Sequence, residues 1–217
     1  MVMIGANGDR NFIVKRGACD SYTLADIDPM IYGSAKILNI GSVYTFKKLF
    51  GKDMAKLLHQ AQMHGMITTA DAMYDSYQIG AEKMRPAMQY LDYFLPSYDE
   101  AKYLTGETEP DKMADALLDY GVQTVVIKMG EKGCLLKNRE LRLEQPAFHA
   151  PAVDTTGAGD NFIAGFLHGI LNQWDLEKCL LFASATAAIS IGAIGATGAV
   201  QSAQQVLDWL KEKHITL

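Results

Sequence analysis

The stretch that decides the fold runs from Ala152 to Leu171 and reads Ala-Val-Asp-Thr-Thr-Gly-Ala-Gly-Asp-Asn-Phe-Ile-Ala-Gly-Phe-Leu-His-Gly-Ile-Leu. Its first part, from Asp154 to Gly159, is small and polar, which is typical of a loop. From Asp160 onward, large apolar residues recur at the spacing of one helix face, which predicts an amphipathic helix over 160–172. These residues are Phe162, Ile163, Phe166, Leu167, Ile170 and Leu171. A glycine loop therefore leads directly into a helix.

A helix that starts directly after a glycine loop offers a site for an anion. The first N–H groups of a helix have no partners within it, and the helix dipole places partial positive charge there. Gly157 and Gly159 would let the backbone approach a ligand closely, because they carry no side chain. Asp160, in the first turn, would then accept a proton from an attacking hydroxyl while the amides hold a transferred phosphoryl group. The alternative is an ordinary helix start after a tight turn.

Composition and charge limit the class of protein. The 217 residues are 49% hydrophobic and 21% charged, which is typical of a globular chain with a sizeable core. The net charge of −5 disfavours nucleic acid as a partner, since a phosphate backbone requires a basic face. The longest weakly polar stretch, 183–200, is rich in Ala and Gly, so we expect a buried helix that leads into a glycine loop and no membrane partner.

The cysteines and the first residues bear on the cellular compartment. The three cysteines, Cys19, Cys134 and Cys179, are odd in number and far apart. They fit a reducing compartment and lack the paired spacing of a zinc site. The first residues have no basic segment and only a short apolar run, so no signal peptide is expected. We therefore expect a cytoplasmic protein.

Apolar runs of strand length alternate with helical patterns along the chain. Asn7-Gly8, between two short apolar runs, predicts a hairpin over the first 15 residues. Strands are expected over 35–40, 66–70, 93–95, 123–129, 133–137 and 141–148, and helices over 46–64, 77–88, 99–104, 111–120, 160–172, 176–191 and 201–213. The alternation indicates one α/β domain over 1–217, with a mostly parallel sheet covered on both faces. Ligands of such folds bind at the carboxyl ends of the strands.

Asp154-Thr-Thr-Gly-Ala-Gly-Asp160, followed by Asn-Phe, resembles the C-terminal signature of the ribokinase-like (PfkB) carbohydrate kinase family. The resemblance implies a three-layer α/β/α sandwich and an ATP-dependent phosphotransferase that acts on a hydroxyl of a sugar or sugar-like substrate. It implies that Asp160 is the catalytic base and that the amides of Gly157, Ala158 and Gly159 form the anion hole. It also implies ATP and Mg²⁺ as cofactors, and K⁺ at a separate site.

Two further segments resemble family motifs near the nucleotide phosphates. In Pro96-Ser-Tyr-Asp-Glu100, Glu100 matches the glutamate of an Asn-x-x-Glu motif that tunes the magnesium site, and Ser97 replaces the asparagine. The residues alone favour early-helix acids that interact with the dipole. Lys128-Met-Gly130-Glu-Lys-Gly133 stands where the family has Thr-x-Gly-x-x-Gly lining ATP. Lys128 replaces the threonine, and its ammonium would either reach a phosphate or point to solvent. The residues alone predict the β-turn of a hairpin at 130–133.

A third segment resembles the family's adenine loop. Gly195-Ala196 matches a Gly-Ala pair that flanks the adenine, and Ser184 lies where a polar residue often faces it. Asp154 and carbonyl groups nearby would complete the monovalent-cation site. For Ser184, the residues alone equally favour a buried hydroxyl that is bonded to its own helix.

The chain does not show the whole family pattern at its N-terminus. Residues 1–20 resemble part of a β lid, with Gly8-Asp9-Arg10 as its hairpin turn, while the segment with the first strand and most sugar-selecting residues is not seen. We therefore expect an N-terminally truncated member, which would expose strand edges and self-associate as a homo-oligomer. Two alternatives stay open: a truncated non-catalytic remnant that binds nucleotide, and a nucleoside kinase of the same superfamily.

Overall fold

The computed structural model describes residues 2–4 and 10–215. The strands in these ranges are β1 (Val2–Ile4), β2 (Arg10–Phe12), β3 (Ile37–Ile40), β4 (Ile67–Ala70), β5 (Tyr93–Phe94), β6 (Thr124–Lys128), β7 (Cys134–Lys137) and β8 (Arg142–Gln145). The α-helices are α1 (Ile31–Ser34), α2 (Lys52–Met63), α3 (Arg85–Met88), α4 (Tyr98–Thr105), α5 (Pro110–Asp119), α6 (Ala158–Leu171), α7 (Leu176–Ser190) and α8 (Ala203–Glu212).

Six of the strands form one sheet in the order β3-β4-β5-β6-β7-β8. The pairs β3–β4, β4–β5 and β5–β6 are parallel, and each is joined by a connection that contains helix. The pairs β6–β7 and β7–β8 are antiparallel, because the turn at 130–133 and the turn at 138–141 are too short for a crossover. The predicted mostly parallel sheet is therefore confirmed, with β7 running opposite to the other five strands of this sheet.

Helices cover both faces of this sheet. In the central strand β6, Val125 and Ile127 pack with residues of α2, α4 and α5, whereas Val126 between them packs with residues of α6 and α7. All three are fully buried, as alternation in a strand with two covered faces requires. The predicted three-layer α/β/α arrangement is confirmed.

The helices α6 and α7 pack unusually closely because two glycines face α7. A Cβ atom on Gly165 would lie 2.7 Å from Oγ1 of Thr186, and one on Gly169 would lie 2.6 Å from Sγ of Cys179. The predicted small-residue helix is thus α7, followed by the loop 191–202. Across the described residues, no helix combines the length and apolar character needed to span a bilayer.

Two helix predictions were wrong in extent. The helix predicted over 46–64 begins only at Lys52, because Gly51 has a φ of 72° that interrupts the helix. The helix predicted over 77–88 is reduced to a 3₁₀ turn and the single turn α3. Asp75 explains the second error, since its carboxylate accepts the N–H groups of Ile79 (3.0 Å) and Gly80 (2.8 Å) and holds the segment in a turn.

The N-terminal hairpin is confirmed in its pairing. β1 and β2 run antiparallel, with Met3 opposite Asn11. The predicted turn at Gly8-Asp9 lies outside the described residues.

Candidate active site

The loop before α6 is fixed against the loop after α7. Gly157 is the N-cap of α6 with a φ of 76°, and a Cβ atom there would lie 2.6 Å from Cβ of Ala196. Only glycine fits this position without a shift of the neighbouring backbone. The side-chain amide of Asn161 donates to the carbonyl of Gly157 at 2.9 Å and to that of Ala196 at 2.8 Å. The two glycine loops predicted to belong to one site are therefore in direct contact.

Asp154 makes a second link between the same loops. Its Oδ1 accepts the N–H of Thr156 at 2.9 Å, and its Oδ2 accepts the N–H of Gly195 at 3.0 Å. Its own N–H donates to the carbonyl of Ile191 at 3.2 Å. Asp154 thus lies beside the Gly195 loop, as predicted, and its carboxylate joins the two segments.

A cavity of about 540 Å³ lies in front of the start of α6. Apolar side chains, among them Phe148 and Ile191, form much of its wall, and polar groups are few. Such a cavity is typical of a small-molecule site, in which an apolar wall holds the ligand and a few polar groups orient it. The predicted site residues in its wall are Lys128, Gly130, Gly133, Ala158, Gly159 and Ser184.

The glycine turn between β6 and β7 is both a hairpin turn and part of the cavity wall. Gly133 has a φ of 91°, and a Cβ atom there would lie 2.0 Å from the carbonyl oxygen of Gln145 in β8. The turn therefore passes against β8 only because this residue is glycine. The predicted β-turn is confirmed, and it also borders the cavity.

Ser184 lies in the cavity wall and is almost fully buried. Burial raises the pKa of the Cys134 thiol in β7 to about 12, and the nearby Ser184 hydroxyl opposes this shift. Thr186, two residues later, does bond within its own helix, to the carbonyl of Phe182 at 2.7 Å. The kind of own-helix bond considered for Ser184 is thus seen at Thr186.

Ser97 and Glu100 start α4 with a reciprocal pair of hydrogen bonds. The N–H of Ser97 donates to Oε2 of Glu100 at 2.8 Å, and the N–H of Glu100 donates to Oγ of Ser97 at 3.4 Å. This capping box satisfies two helix-start donors. The helix-start interpretation of Glu100 is therefore confirmed. Both residues follow β5, outside the cavity wall.

One acid at the strand ends was missed. Asp71 directly follows β4, and its Oδ1 accepts the N–H of Ser42 at 2.5 Å. Its Oδ2 lies 3.8 Å from the ammonium of Lys128, at the end of β6. Burial raises the pKa of Asp71 to about 6, although Lys128 and the Ser42 N–H oppose the shift, and the carboxylates of Glu100 and Asp160 add to it. The charges of Glu100 and Asp160 therefore both act on Asp71 at the carboxyl edge of the sheet.

This acid could have been found in the sequence. An acidic residue immediately after a predicted parallel strand lies at the edge where ligands bind in α/β sheets. The strand predicted over 66–70 ends at Asp71, and that position alone was a sufficient signal.

The acids do not form a metal cage by themselves. Within residues 2–4 and 10–215, no three His, Cys, Asp or Glu side chains are grouped so as to hold a metal ion. Mg²⁺ in nucleotide sites keeps water and takes most of its oxygens from phosphates, so one or two carboxylates are sufficient. A single carboxylate such as that of Glu100 therefore fits a metal ion that arrives with a nucleotide.

The family described as pfkB family carbohydrate kinase matches residues 1–203 of this chain. The chain belongs to this family. Among pfkB relatives it is similar to a deoxyribokinase of Salmonella typhimurium, with 36% identity over 124 residues that cover 55% of this chain and 40% of that protein. It is also similar to a ribokinase of Haemophilus influenzae, with 32% identity over 129 residues that cover 57% of this chain and 42% of that protein. These matches span less than half the length of either relative.

A solved ribokinase structure from Thermotoga maritima matches this pfkB chain with a TM-score of 0.81 and 27% sequence identity. The match covers 97% of this chain and 68% of the ribokinase chain. The predicted ribokinase-like fold is confirmed.

In this pfkB fold, the signature aspartate lies at the rim of the cavity and not in its wall. Asp160 is in the first turn of α6, one residue after Gly159, and is exposed. It is close enough to Asp71 for its charge to raise the Asp71 pKa. The start of α6 therefore presents amides to the cavity and a carboxylate to the acids at the strand ends.

Proposed function

We propose that this chain is an ATP-dependent phosphotransferase that phosphorylates a hydroxyl of a sugar or sugar-like acceptor. One observation carries the proposal. A cavity of nucleotide size ends at Ala158 and Gly159, at the uncapped start of α6, and the exposed carboxylate of Asp160 stands next to them. Membership of the pfkB family supports the same reaction.

ATP would occupy the cavity with its ring on the apolar side. The wall from Phe148 to α7 offers an apolar surface for adenine, bordered by the 130–133 turn and by Ser184. Gly195 and Ala196 would act indirectly, because they fix the position of the Gly157 loop. The phosphates would extend toward the N-terminus of α6, where the helix dipole favours an anion. The N–H of Ala158 donates to the carbonyl of Thr155 at a long 3.3 Å, and a phosphate oxygen would replace this weak bond.

Asp160 would act as general base. It accepts the proton of the acceptor hydroxyl while the oxygen attacks the γ-phosphorus, and the bond from this phosphorus to the ADP oxygen breaks. The amides of Gly157, Ala158 and Gly159 would hold the charge on the phosphoryl oxygens. Mg²⁺, bound with ATP, would neutralise phosphate charge, and Glu100 would orient it through water.

We also propose a K⁺ site beside Asp154, where this carboxylate meets the Gly195 loop. A cation there would reinforce a link that the protein already makes. A thermal unfolding series in KCl and in tetramethylammonium chloride tests this site. Stabilisation by K⁺ alone, lost in Asp154→Asn, is the expected result.

Two coarser properties belong to the same proposal. The described cysteines are free thiols, which supports a cytoplasmic location. Exposed apolar side chains near the N-terminal hairpin, Met3 (46% exposed) and Val14 (57% exposed), support a homo-oligomer of this single domain. Sedimentation velocity over a concentration series would show the oligomer, and a monomer at every concentration would contradict it.

The deciding experiment is ADP production with Mg²⁺ and K⁺ against a panel of sugars and nucleosides. Asp160→Asn should lower turnover on the preferred acceptor by about 10²- to 10⁴-fold. Asp175→Asn is the matched control, because Asp175 also stands at a helix start and caps α7 through the N–H of Lys178, a role that asparagine fills equally.

Each outcome of the panel has a distinct meaning. Turnover on a sugar that is lost in Asp160→Asn and kept in Asp175→Asn would support the proposal. Turnover on nucleosides alone would identify a nucleoside kinase. ATP binding by calorimetry without any turnover would identify a non-catalytic nucleotide-binding protein.

A further inference from the structure

Lys128 lies between the cavity and the acids at the strand ends. It is the last residue of β6, and its Nζ is 3.8 Å from Oδ2 of Asp71, with side-chain exposures of only 14% for Lys128 and 10% for Asp71. The same Nζ lies 3.3 Å from the point where a Cβ atom on Gly159 would stand, and Lys128 lines the cavity. One ammonium therefore reaches both Asp71 and the start of α6.

The contact between Lys128 and Asp71 is an ion pair without a hydrogen bond. A distance of 3.8 Å exceeds the usual 2.7–3.2 Å of an N–H donor and its acceptor. An ammonium has three donors, and the hydrogen bonds of the described residues include none from Nζ of Lys128. The Lys128 ammonium therefore keeps donors that a ligand can occupy in place of water. Phosphate oxygens at Gly159 would supply short charge-assisted hydrogen bonds.

On the basis of the proposed phosphotransferase function, we propose that Lys128 is a phosphate-binding residue that exchanges Asp71 for the terminal phosphate of ATP. In the empty site, Asp71 holds the ammonium at the edge of the anion loop. When ATP binds, the ammonium moves from Asp71 to the γ-phosphate. Asp71 therefore competes with ATP for the charge of Lys128.

This exchange gives Lys128 a task that the threonine of the family motif does not have. A hydroxyl offers one donor, whereas an ammonium adds a full positive charge beside the amides of α6. The charge acts where negative charge accumulates on the phosphoryl oxygens. It should therefore select for the triphosphate and contribute nothing to the binding of an uncharged nucleoside.

The test compares ATP and adenosine binding by calorimetry for the full chain. Lys128→Met keeps most of the side-chain length and removes the charge. It should weaken ATP binding by about 10- to 100-fold, as loss of a charge-assisted hydrogen bond predicts, and change adenosine affinity by less than about twofold. Lys137→Met is the matched control, because Lys137 also ends a strand and pairs with an acid, Asp115 at 2.7 Å, away from the cavity. It should change neither affinity.

A second variant tests the exchange itself. Asp71→Asn keeps an oxygen for the N–H of Ser42 and removes the competing anion. The affinity for ATP should rise by about 3- to 10-fold, because Lys128 no longer gives up an ion pair when ATP binds. This gain should disappear when Lys128→Met is also present. A purely structural ion pair predicts weaker or unchanged ATP binding in Asp71→Asn.

The outcomes separate the two proposals. Equal losses of ATP and adenosine affinity in Lys128→Met, or no loss of ATP affinity, would overturn the role of Lys128 and leave the phosphotransferase proposal intact. Should Lys128→Met fail to fold, Lys128→Thr is measured in its place, with the same expected selectivity. Absence of ATP binding by the unmodified chain would contradict the proposed function, and the role of Lys128 would fall with it.

Discussion

The helices α4 and α6 both follow a loop at the carboxyl edge of the sheet and both carry an acid in the first turn, yet the two acids act differently. At α4, Ser97 and Glu100 bond to each other's backbone N–H and close the helix start. At α6, the N-cap is Gly157, which has no side chain to cap the helix, and Asp160 is exposed. Side chains occupy the first amides of α4, whereas no side chain occupies those of α6, where only a long bond from Ala158 N–H to the Thr155 carbonyl would have to give way to a ligand.

The largest expected effect separates activity from stability at α6. Asp160→Asn should lower kcat by about 10²- to 10⁴-fold, because the general base is lost. The free energy of unfolding should change by less than about 0.5 kcal/mol, because the exposed side chain does not cap the helix. Steady-state kinetics on the acceptor from the panel and urea unfolding check the two halves. A large loss of stability would mean that Asp160 serves the helix as Glu100 does.

The uncapped start depends on the close contact of Gly157 with Ala196. Gly157→Ala should reduce stability by about 2 to 4 kcal/mol, because the methyl group clashes with Ala196 and a left-handed φ is costly for alanine. Gly130→Ala is the matched control, since Gly130 has a φ of 59° but nothing lies within 4 Å of a Cβ atom there. It should lose only about 1 kcal/mol. Equal losses in urea unfolding would show that the contact with Ala196 is unimportant.

The carboxylates at both helix starts act on Asp71, and its raised pKa predicts how the stability of the protein depends on pH. Its folded-state pKa is about 6 against an ordinary value of 3.8, so the folded protein binds the proton more tightly. Stability from this group is therefore present below about pH 4 and lost as the pH rises through 6, by about 1 to 3 kcal/mol. The free energy of unfolding of Asp71→Asn should therefore rise relative to that of the unmodified protein as the pH increases over this range. Lys128, Glu100 and Asp160 are the charged groups that act on Asp71.

Urea unfolding at pH 4.5, 5.5 and 6.5 measures this difference. A stability difference between the two proteins that is independent of pH would contradict the raised pKa of Asp71.

The smallest effect is expected at α4. Glu100→Ala should cost about 1 kcal/mol of stability, because the Ser97 N–H loses its acceptor and the capping box opens. Adding Ser97→Ala should cost less in this variant than in the unmodified protein, since the two residues share one pair of bonds. Additive losses in a double-mutant cycle would show that the capping box does not couple them.

The sequence was sufficient for the parts of the site whose chemistry is local. The loop and helix of 154–171 could be predicted because the glycines, the acid and the apolar face lie within 20 consecutive residues. The β6–β7 turn could be predicted for the same reason.

The contact between Asp71 and Lys128 could not be predicted, because it joins the ends of β4 and β6 across the short strand β5. The proximity of Ser184 to Cys134 was missed for a similar reason, since Cys134 lies on another element. The overextended helix at 77–88 failed because a side chain, that of Asp75, took the N–H groups that a helix would have used. Each error comes from a contact between residues that the local pattern does not include.

The links between the two glycine loops also determine when the site can form during synthesis of the chain. Asn161 bonds to Ala196, 35 residues later, and Asp154 bonds to Gly195, 41 residues later. During synthesis on the ribosome, α6 is therefore complete well before the residues that fix its first turn have been added. A nascent chain that ends before residue 196 has the acid and the anion loop but not the support that positions them. Under the proposed function, ATP would therefore stabilise only a chain that has been made through residue 196, and it would contribute late to folding.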